Sequence, residues 1–321
     1  MTTHDSGELH VIFGTGTLGK WTGRELVKLG KRVRFVNRSG KAFDLPEGAE
    51  LVASDAYDPA KTTEVVQGAA AIYQCAQPEY HEWETKFMPL QDSIMAAAIT
   101  TGAKLIAAEN VYMYGAPNGK PLTEDTPYNA HTRKGKVRQA MTEKLFAQHK
   151  AGNLRAASVR GSDFFGPDDM SNTKFIVYAA VQGKAAQMVG RGDRLHSFTY
   201  TPDFGKLLAI AGTRDEALGQ AWHVPNNPPL TQNELLSLFE AELGTPIKRM
   251  YGTTLVMRAM GLFVPAMREM VEMMYEFNHP FVVDGSKAER TFGITATPMK
   301  QMISETVAWV KTHLAQLAAA H

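Results

Sequence analysis

Short apolar runs alternate with stretches of helical periodicity through the first two-thirds of the chain. The runs are LHVIFG, RVRFVN, ELVAS, AAIYQCA, KLIAAE and RAASVRG; helical patterns at Lys20 to Leu29, Pro89 to Thr101 and Val137 to Lys150 lie between them. Short buried strands separated by helices of this length predict βαβ units and a parallel sheet, an α/β architecture. After about residue 166 the alternation loosens, and GPDDMSNTKF, PNNPPLTQNE and ELGTPIKR supply bends through Asp, Asn, Gly and Pro. Thr231 followed by Glu234 predicts a capping box that opens a helix from Gln232 to Leu243, closed by Gly244. The pattern is that of a smaller, mostly helical C-terminal lobe laid over one edge of the sheet, the natural place for substrate specificity.

Length and charge narrow this picture. A chain of 321 residues suits one two-lobed unit. Its 34 Lys+Arg against 33 Asp+Glu, with no run of like charge, argue against nucleic acid or an anionic membrane as partner. Cys75 is the only cysteine, so no disulfide forms within the chain and a reducing, cytoplasmic setting is expected. No apolar stretch approaches the roughly 18 residues of a membrane span. No Cys/His metal spacing and no P-loop is present.

The segment HVIFGTGTLGKWTGRELVKLG places Gly14, Gly16 and Gly19 directly after a strand and before a helix. The first glycine permits a tight turn, the second lets the backbone approach a pyrophosphate, and the third lets the helix pack closely with its N-terminal amides aimed at the anion. Thr15, Thr17 and Leu18 complete the turn. The order strand, glycine turn, helix, strand makes this a dinucleotide cradle rather than a bare glycine motif. The second strand ends in Asn37, Arg38 and Ser39 where an acidic residue would bind the ribose 2′-OH of NAD(H). An arginine there pairs with a 2′-phosphate through its planar fork, which favours NADP(H) over NAD(H). Asp55, with Ala56, ends the third strand where a carboxylate can accept from the adenine amino group.

This order of landmarks resembles the short-chain dehydrogenase/reductase superfamily, in its extended, NAD-dependent epimerase/dehydratase-like branch. AIYQCAQP, with Cys75, Ala76 and Gln77, is similar to the branch's fourth strand over the adenosine; ENVYMYG is similar to SSxxVYG, VRGSDFFGP to LRPxNVYGP, and GRGDRLHSFTYTPDFGK to the stretch that follows. The resemblance covers almost the whole chain. It implies a Rossmann-type doubly wound parallel sheet over residues 1–166 with contributions from about 196–225, and a substrate lobe from 167–195 and 226–321. It also implies a homodimer through the helices at Pro89 to Thr101 and Val137 to Lys150.

The branch's mechanism uses a Ser or Thr to hold the substrate carbonyl, a Tyr as proton donor and a Lys four residues later. Counting back from Tyr114 puts Asn110 in the Ser position, and aligning Glu143 with the branch's Glu puts Gly135 and Gln139 in the dyad positions. A register slip gives Lys134 with Arg138 or Lys136 with Ala140, and no register restores the dyad. The literal YxxxK, Tyr57 with Lys61, follows the third strand at the adenine end and is a decoy. Asn110 can polarise a carbonyl through its amide, and Tyr112 offers a displaced phenol proton, its pKa lowered by a cation such as Lys134, Lys136 or Arg133. Tyr128 and His131 lie in the loop before the dyad helix. His196 stands where the resemblance implies an Arg for a nucleotide-sugar pyrophosphate, and Asp163, next to Phe164, stands where it implies an Asn beside the nicotinamide. Met257, Met260, Met267, Met270, Met273 and Met274 suit either ordinary core or a lid over an apolar substrate. The expected activity is therefore NADP(H)-dependent hydride transfer to or from a small apolar or aromatic carbonyl compound. Two alternatives stand beside it: a catalytically silent NADP-binding sensor or scaffold, and a nucleotide-sugar epimerase or dehydratase.

Overall fold

The computed structural model describes residues 7–263 and 265–319. All six apolar runs are strands: β1 (Leu9–Phe13), β2 (Arg32–Asn37), β3 (Glu50–Ala53), β4 (Ala69–Gln74), β5 (Lys104–Glu109) and β6 (Ala156–Arg160). With strand Ala221–His223 they form a seven-stranded sheet in the order Ala221–His223, β6, β5, β4, β1, β2, β3, and the pairings among β1 to β6 are parallel. The order reverses between β1 and β4, the switch point of a doubly wound sheet, where the carboxyl ends of neighbouring strands leave a crevice. Every residue of β1 and of β6 is buried, as expected of strands covered on both faces.

The helices are α1 (Thr17–Lys28), α2 (Pro59–Val65), α3 (Trp83–Thr101) and α4 (Arg133–Lys150) in this part of the chain. Three of their starts differ from the sequence expectation. α1 begins at Thr17 rather than Lys20, because the glycine turn itself is the helix entrance. α3 begins at Trp83 and carries Pro89 inside it, not at its start. α4 begins at Arg133 instead of Val137, and the residues its first turn buries are Lys134 and Gly135, so no apolar stripe marked that turn.

The chain divides into two compact units. The first comprises Met1–Met113, Lys134–Arg160 and Phe204–Trp222; the second comprises Tyr114–Arg133, Gly161–Asp203 and His223–His321. The second is mostly helical and takes in the loop 114–133, which follows β5 in sequence. Its helix Gln232–Leu243 has the expected reciprocal capping box of Thr231 and Glu234 and ends at Gly244 in the left-handed region. Its apolar core includes Phe165, Met188, Leu236, Phe239 and Val307.

A buried ion pair ties the first unit's sheet to α4. Glu109 ends β5, Arg160 ends β6, and the two are register partners with Arg160 Nε 2.9 Å from Glu109 Oε2. Thr142 of α4 donates to Glu109 and accepts from an Arg160 terminal nitrogen at 2.8 Å. Arg160 is fully buried and Glu109 nearly so. Removing one partner of such a pair leaves an uncompensated charge, whereas replacing both by apolar groups is often tolerated. Arg160→Met is expected to lower the unfolding free energy by about 3–5 kcal/mol in denaturant titration, and adding Glu109→Leu to recover most of that loss. An equal or larger loss in the double variant would contradict this account.

Candidate active site

The glycine turn after β1 has the shape a dinucleotide needs. Gly14 adopts φ +107°, and a Cβ on it would lie 2.8 Å from the Ala76 nitrogen after β4. A Cβ on Gly19 would lie 2.1 Å from the Gly14 oxygen, while one on Gly16 would meet nothing within 4 Å. The turn is thus closed on the protein side and open at the position where a pyrophosphate would approach. Gly16 is the N-cap of α1 and supplies no side-chain cap, and the first turn carries no acidic residue, a setting that suits an anion at a helix N-terminus. Gly23, one turn beyond Gly19, lets α1 sit against the Phe35 ring: a Cβ there would be 2.4 Å from that ring. Sequence reading missed this second contact, which an i, i+4 glycine pair on the helix's buried face could have signalled.

A cleft beside this turn is lined by Gly14, Asn37, Arg38, Asp55, Ala56, Ala76 and Gln77, all expected cofactor residues, together with Tyr57, Glu79, Glu82 and Lys86. Asn37 is the organiser of its rim: its amide nitrogen donates to Thr15 Oγ1 at 3.0 Å and to the Lys41 carbonyl at 2.9 Å, and its oxygen accepts from Gly40 N. Ser39 closes the same loop by donating to the Lys41 carbonyl. Asp55 Oδ1 accepts from Tyr57 N, which turns the chain where Asp55 lines the cleft. Burial pushes the Cys75 thiol up to about 12, so this cysteine is a packing residue rather than a nucleophile. Tyr57 lines this end of the cleft while Lys61 lies on α2 next to Asp58, and burial raises the phenol's pKa.

Beyond β5 the backbone turns through Asn110 into a single 3-10 turn, Tyr112–Tyr114. Asn110 Oδ1 accepts from Tyr112 N at 3.2 Å, so the amide nitrogen is the group Asn110 can offer elsewhere. The half-buried Tyr112 ring lies 6.2 Å from Trp83, which meets Tyr80 edge-on at 5.1 Å. Lys134 is buried with its ammonium 4.3 Å over the Tyr80 ring, and the Arg138 guanidinium lies 4.2 Å over Phe87 and 4.8 Å over Trp83. Of the registers open to α4, the structure turns both cations of the Lys134–Arg138 pair inward, while Gln139 is spent on Glu143 at 2.8 Å. Burial pulls the Arg138 guanidinium down to about 10, against the opposing pull of Glu109 and of the Tyr112 phenol. Arg138 thus joins Lys134, one of the expected cations, as a second buried positive charge beside this aromatic cluster.

In the second unit, His196 is fully buried, with Nδ1 2.7 Å from Asp163 Oδ2, and its ring stacks on Phe277 at 5.5 Å. The carboxylate sets the tautomer with hydrogen on Nδ1, and Nε2 has no hydrogen-bond partner among the described residues. Phe164 lies beside Asp163 in a two-residue strand paired with Thr199–Tyr200. Tyr128 packs on Tyr114, whose hydroxyl is 2.8 Å from His223 Nε2. His131 packs edge-on to Tyr275 at 4.6 Å. The methionine run divides: Met257, Met273 and Met274 are core, and Met260 is exposed. Among the described residues no cluster of His, Cys, Asp and Glu could hold a metal ion, and no helix is long and apolar enough to cross a membrane.

The model of the NAD dependent epimerase/dehydratase family matches residues 11–224, about two-thirds of the chain. The chain belongs to this family. It is similar to solved members across nearly its whole length. A dTDP-glucose 4,6-dehydratase from Streptomyces venezuelae with NAD bound superposes with a TM-score of 0.78 at 15% identity, covering 96% of this chain and 98% of that one. A UDP-glucose 4-epimerase from Thermotoga maritima with UDP-glucose gives 0.79 at 14% identity, covering 95% and 99%. At such identity the likeness establishes the Rossmann-type fold. Among curated proteins, the mouse sterol-4-alpha-carboxylate 3-dehydrogenase (decarboxylating) is 26% identical over 235 residues, 68% of this chain and 64% of that protein. An Arabidopsis thaliana 3beta-hydroxysteroid-dehydrogenase/decarboxylase is 23% identical over 61% of this chain and 38% of its own length. The family member described here thus spans less than two-thirds of the curated relatives it matches.

One titration follows from the second unit. Burial, and secondarily the charge of Asp163, raise the Glu276 carboxyl well above its usual 4.5. Below the unfolded-state value both states hold the proton and nothing is lost; above it the unfolded chain ionises while the folded one does not, so stability falls as pH rises. Glu276→Gln is expected to match the parent's melting temperature near about pH 4 and to exceed it increasingly from about pH 5 to 8. A constant difference across that range would overturn the assignment of a protonated Glu276.

Proposed function

We propose that the protein is an NADP(H)-dependent oxidoreductase that transfers a hydride to or from a small apolar or aromatic carbonyl compound, with Asn110 and Tyr112 in place of the family's Ser and Tyr. The observation that carries this reading is geometric: Lys134 and Arg138 are buried on the inward face of the helix where the dyad is missing, over the rings of Tyr80 and Trp83, and Trp83 in turn packs on Tyr112. When bound, the reduced nicotinamide supplies the hydride. Asn110 is assigned to hold the substrate oxygen through its amide nitrogen, since its own oxygen is engaged by Tyr112 N. Tyr112 is assigned to give that oxygen its proton; the phenolate left behind finds the fixed charge of Arg138, with Lys134 on the neighbouring ring as further support.

Arg38 on the cleft rim, with no acidic residue at the end of β2, supports NADP(H). An apolar substrate is supported by the names of the curated relatives, which are sterol and hydroxysteroid dehydrogenases. The same reading assigns the cofactor to the first unit and substrate recognition to the second, including Tyr128, Asp163, Phe164 and His196, and puts the protein in the cytoplasm as a homodimer through α3 and α4.

A silent sensor is the second reading, favoured by the absence of any Tyr-Lys dyad on α4. A nucleotide-sugar enzyme is the third, favoured by the solved neighbours; the engagement of His196 with Asp163, in place of an arginine, weighs against it. A carbonyl panel followed by NADPH absorbance separates them. Tyr112→Phe is expected to lower turnover by at least about a hundredfold while NADPH affinity is unchanged, the usual size of a lost general acid. Turnover unchanged by Tyr112→Phe would remove that residue from the mechanism. Arg38→Ala is expected to weaken NADP(H) by about tenfold or more and leave NAD(H) affinity unaltered in equilibrium titration; equal losses for both would refute the 2′-phosphate assignment.

A further inference from the structure

Fourteen large apolar side chains are exposed among the described residues, and six of them, Met250, Leu255, Val256, Met260, Leu262 and Phe263, fall within one short segment of the second unit. Leu262 and Phe263 are 81% and 86% exposed. The segment is helix Thr254–Met260 and the turn after it. At about 100° per residue, Leu255, Val256, Ala259 and Met260 share one side of the helix, while Met257, on the side opposite Leu255, is buried. Backbone bonds from Gly261 to Met257, Leu262 to Ala259 and Phe263 to Met260 carry the helical path onward, so the two most exposed side chains extend the same face. Gly261 permits this corner by letting the following helix, Pro265–Val271, pass close: a Cβ on Gly261 would stand 2.9 Å from Arg268 Cα.

Along the segment itself the charges are of one sign, and the carboxylates that follow it, Glu269 and Glu272, are paired with Arg133. From Leu243 to Arg268 the chain has Lys248, Arg249, Arg258 and Arg268 and no Asp or Glu. Arg249 is paired with Glu240, whereas Lys248, Arg258 and Arg268 are exposed and have no ion-pair partner among the described residues. The balanced net charge of the whole chain conceals this local excess. A twofold contact between two copies through the face would bring these cations together, which opposes self-association. An apolar ridge flanked by unpaired cations matches an anionic bilayer, whose headgroups attract the cations while the apolar side chains enter the boundary of the acyl region.

We propose that the face of Leu255, Val256, Met260, Leu262 and Phe263 docks on the surface of an anionic lipid bilayer. The protein lies on the membrane and does not span it. The docking stands on the surface alone and holds whether or not the activity proposed above does; if both hold, the bilayer is also where an apolar carbonyl substrate accumulates.

The test is co-sedimentation of the full chain with vesicles of phosphatidylcholine alone and of phosphatidylcholine with about one-third phosphatidylglycerol, with NADPH titration of every variant as the check on folding. Binding is expected to the anionic vesicles, to fall at high salt, and to drop at least about tenfold in Leu262→Ser/Phe263→Ser and severalfold in Arg258→Glu, with NADPH affinity unchanged in both. Three results overturn the proposal: no binding to anionic vesicles, binding indifferent to the Leu262→Ser/Phe263→Ser change, or a dimer in sedimentation equilibrium that this change dissociates.

Discussion

The buried pair of Glu109 and Arg160 is the constraint on which the setting of α4 against the sheet depends. The two charges close the carboxyl ends of adjacent strands, and Thr142 bonds to both, so α4 is held in one rotational setting against the sheet. That setting turns Lys134 and Arg138 inward and Gln139 outward. It also fixes where the chain leaves β5, and so where Asn110 and Tyr112 begin. A pair this deeply desolvated contributes little net stability against an apolar replacement, but it is intolerant of misalignment, which suits a role in setting register.

At the other end, close approach does what charge does here. Gly14 and Gly19 bring the turn, α1 and the segment that follows β4 into contact at distances that no side chain would permit, and Gly16 leaves its own position open. The helix amides then face an anion without competition from a capping side chain or a first-turn carboxylate. The consequence is a cleft whose rim is built from backbone and small residues, with Asn37 ordering the loop that presents Arg38. Chemistry and cofactor selection are thereby assigned to different residues, so either can change without the other.

Much of this was legible in the sequence, for identifiable reasons. The six strands are nearly continuous apolar runs bounded by turn residues, and the glycine cradle is a local motif whose spacing carries its geometry. The start of α4 was not legible, because the buried residues of its first turn are Lys134 and Gly135, and the apolar row of Val137, Met141 and Leu145 begins only after them. The partnership of Glu109 with Arg160 spans 51 residues and appears only once β5 and β6 pair in register. Arg138 was visible only as one register among several, since which face of a helix turns inward is decided by tertiary packing. His196 was read as a replacement facing substrate; its bond to Asp163 joins residues 33 apart and needed the fold to be seen.

The central claim is that this constellation still moves a hydride. The most direct measurement uses NADPH carrying deuterium at the transferable C4 position, incubated with the purified protein and an apolar ketone. The account predicts that the label appears on the carbinol carbon of the product, one deuterium per NADPH consumed. Tightly bound NADPH that is neither consumed nor depleted of label across a broad series of carbonyl compounds would contradict it.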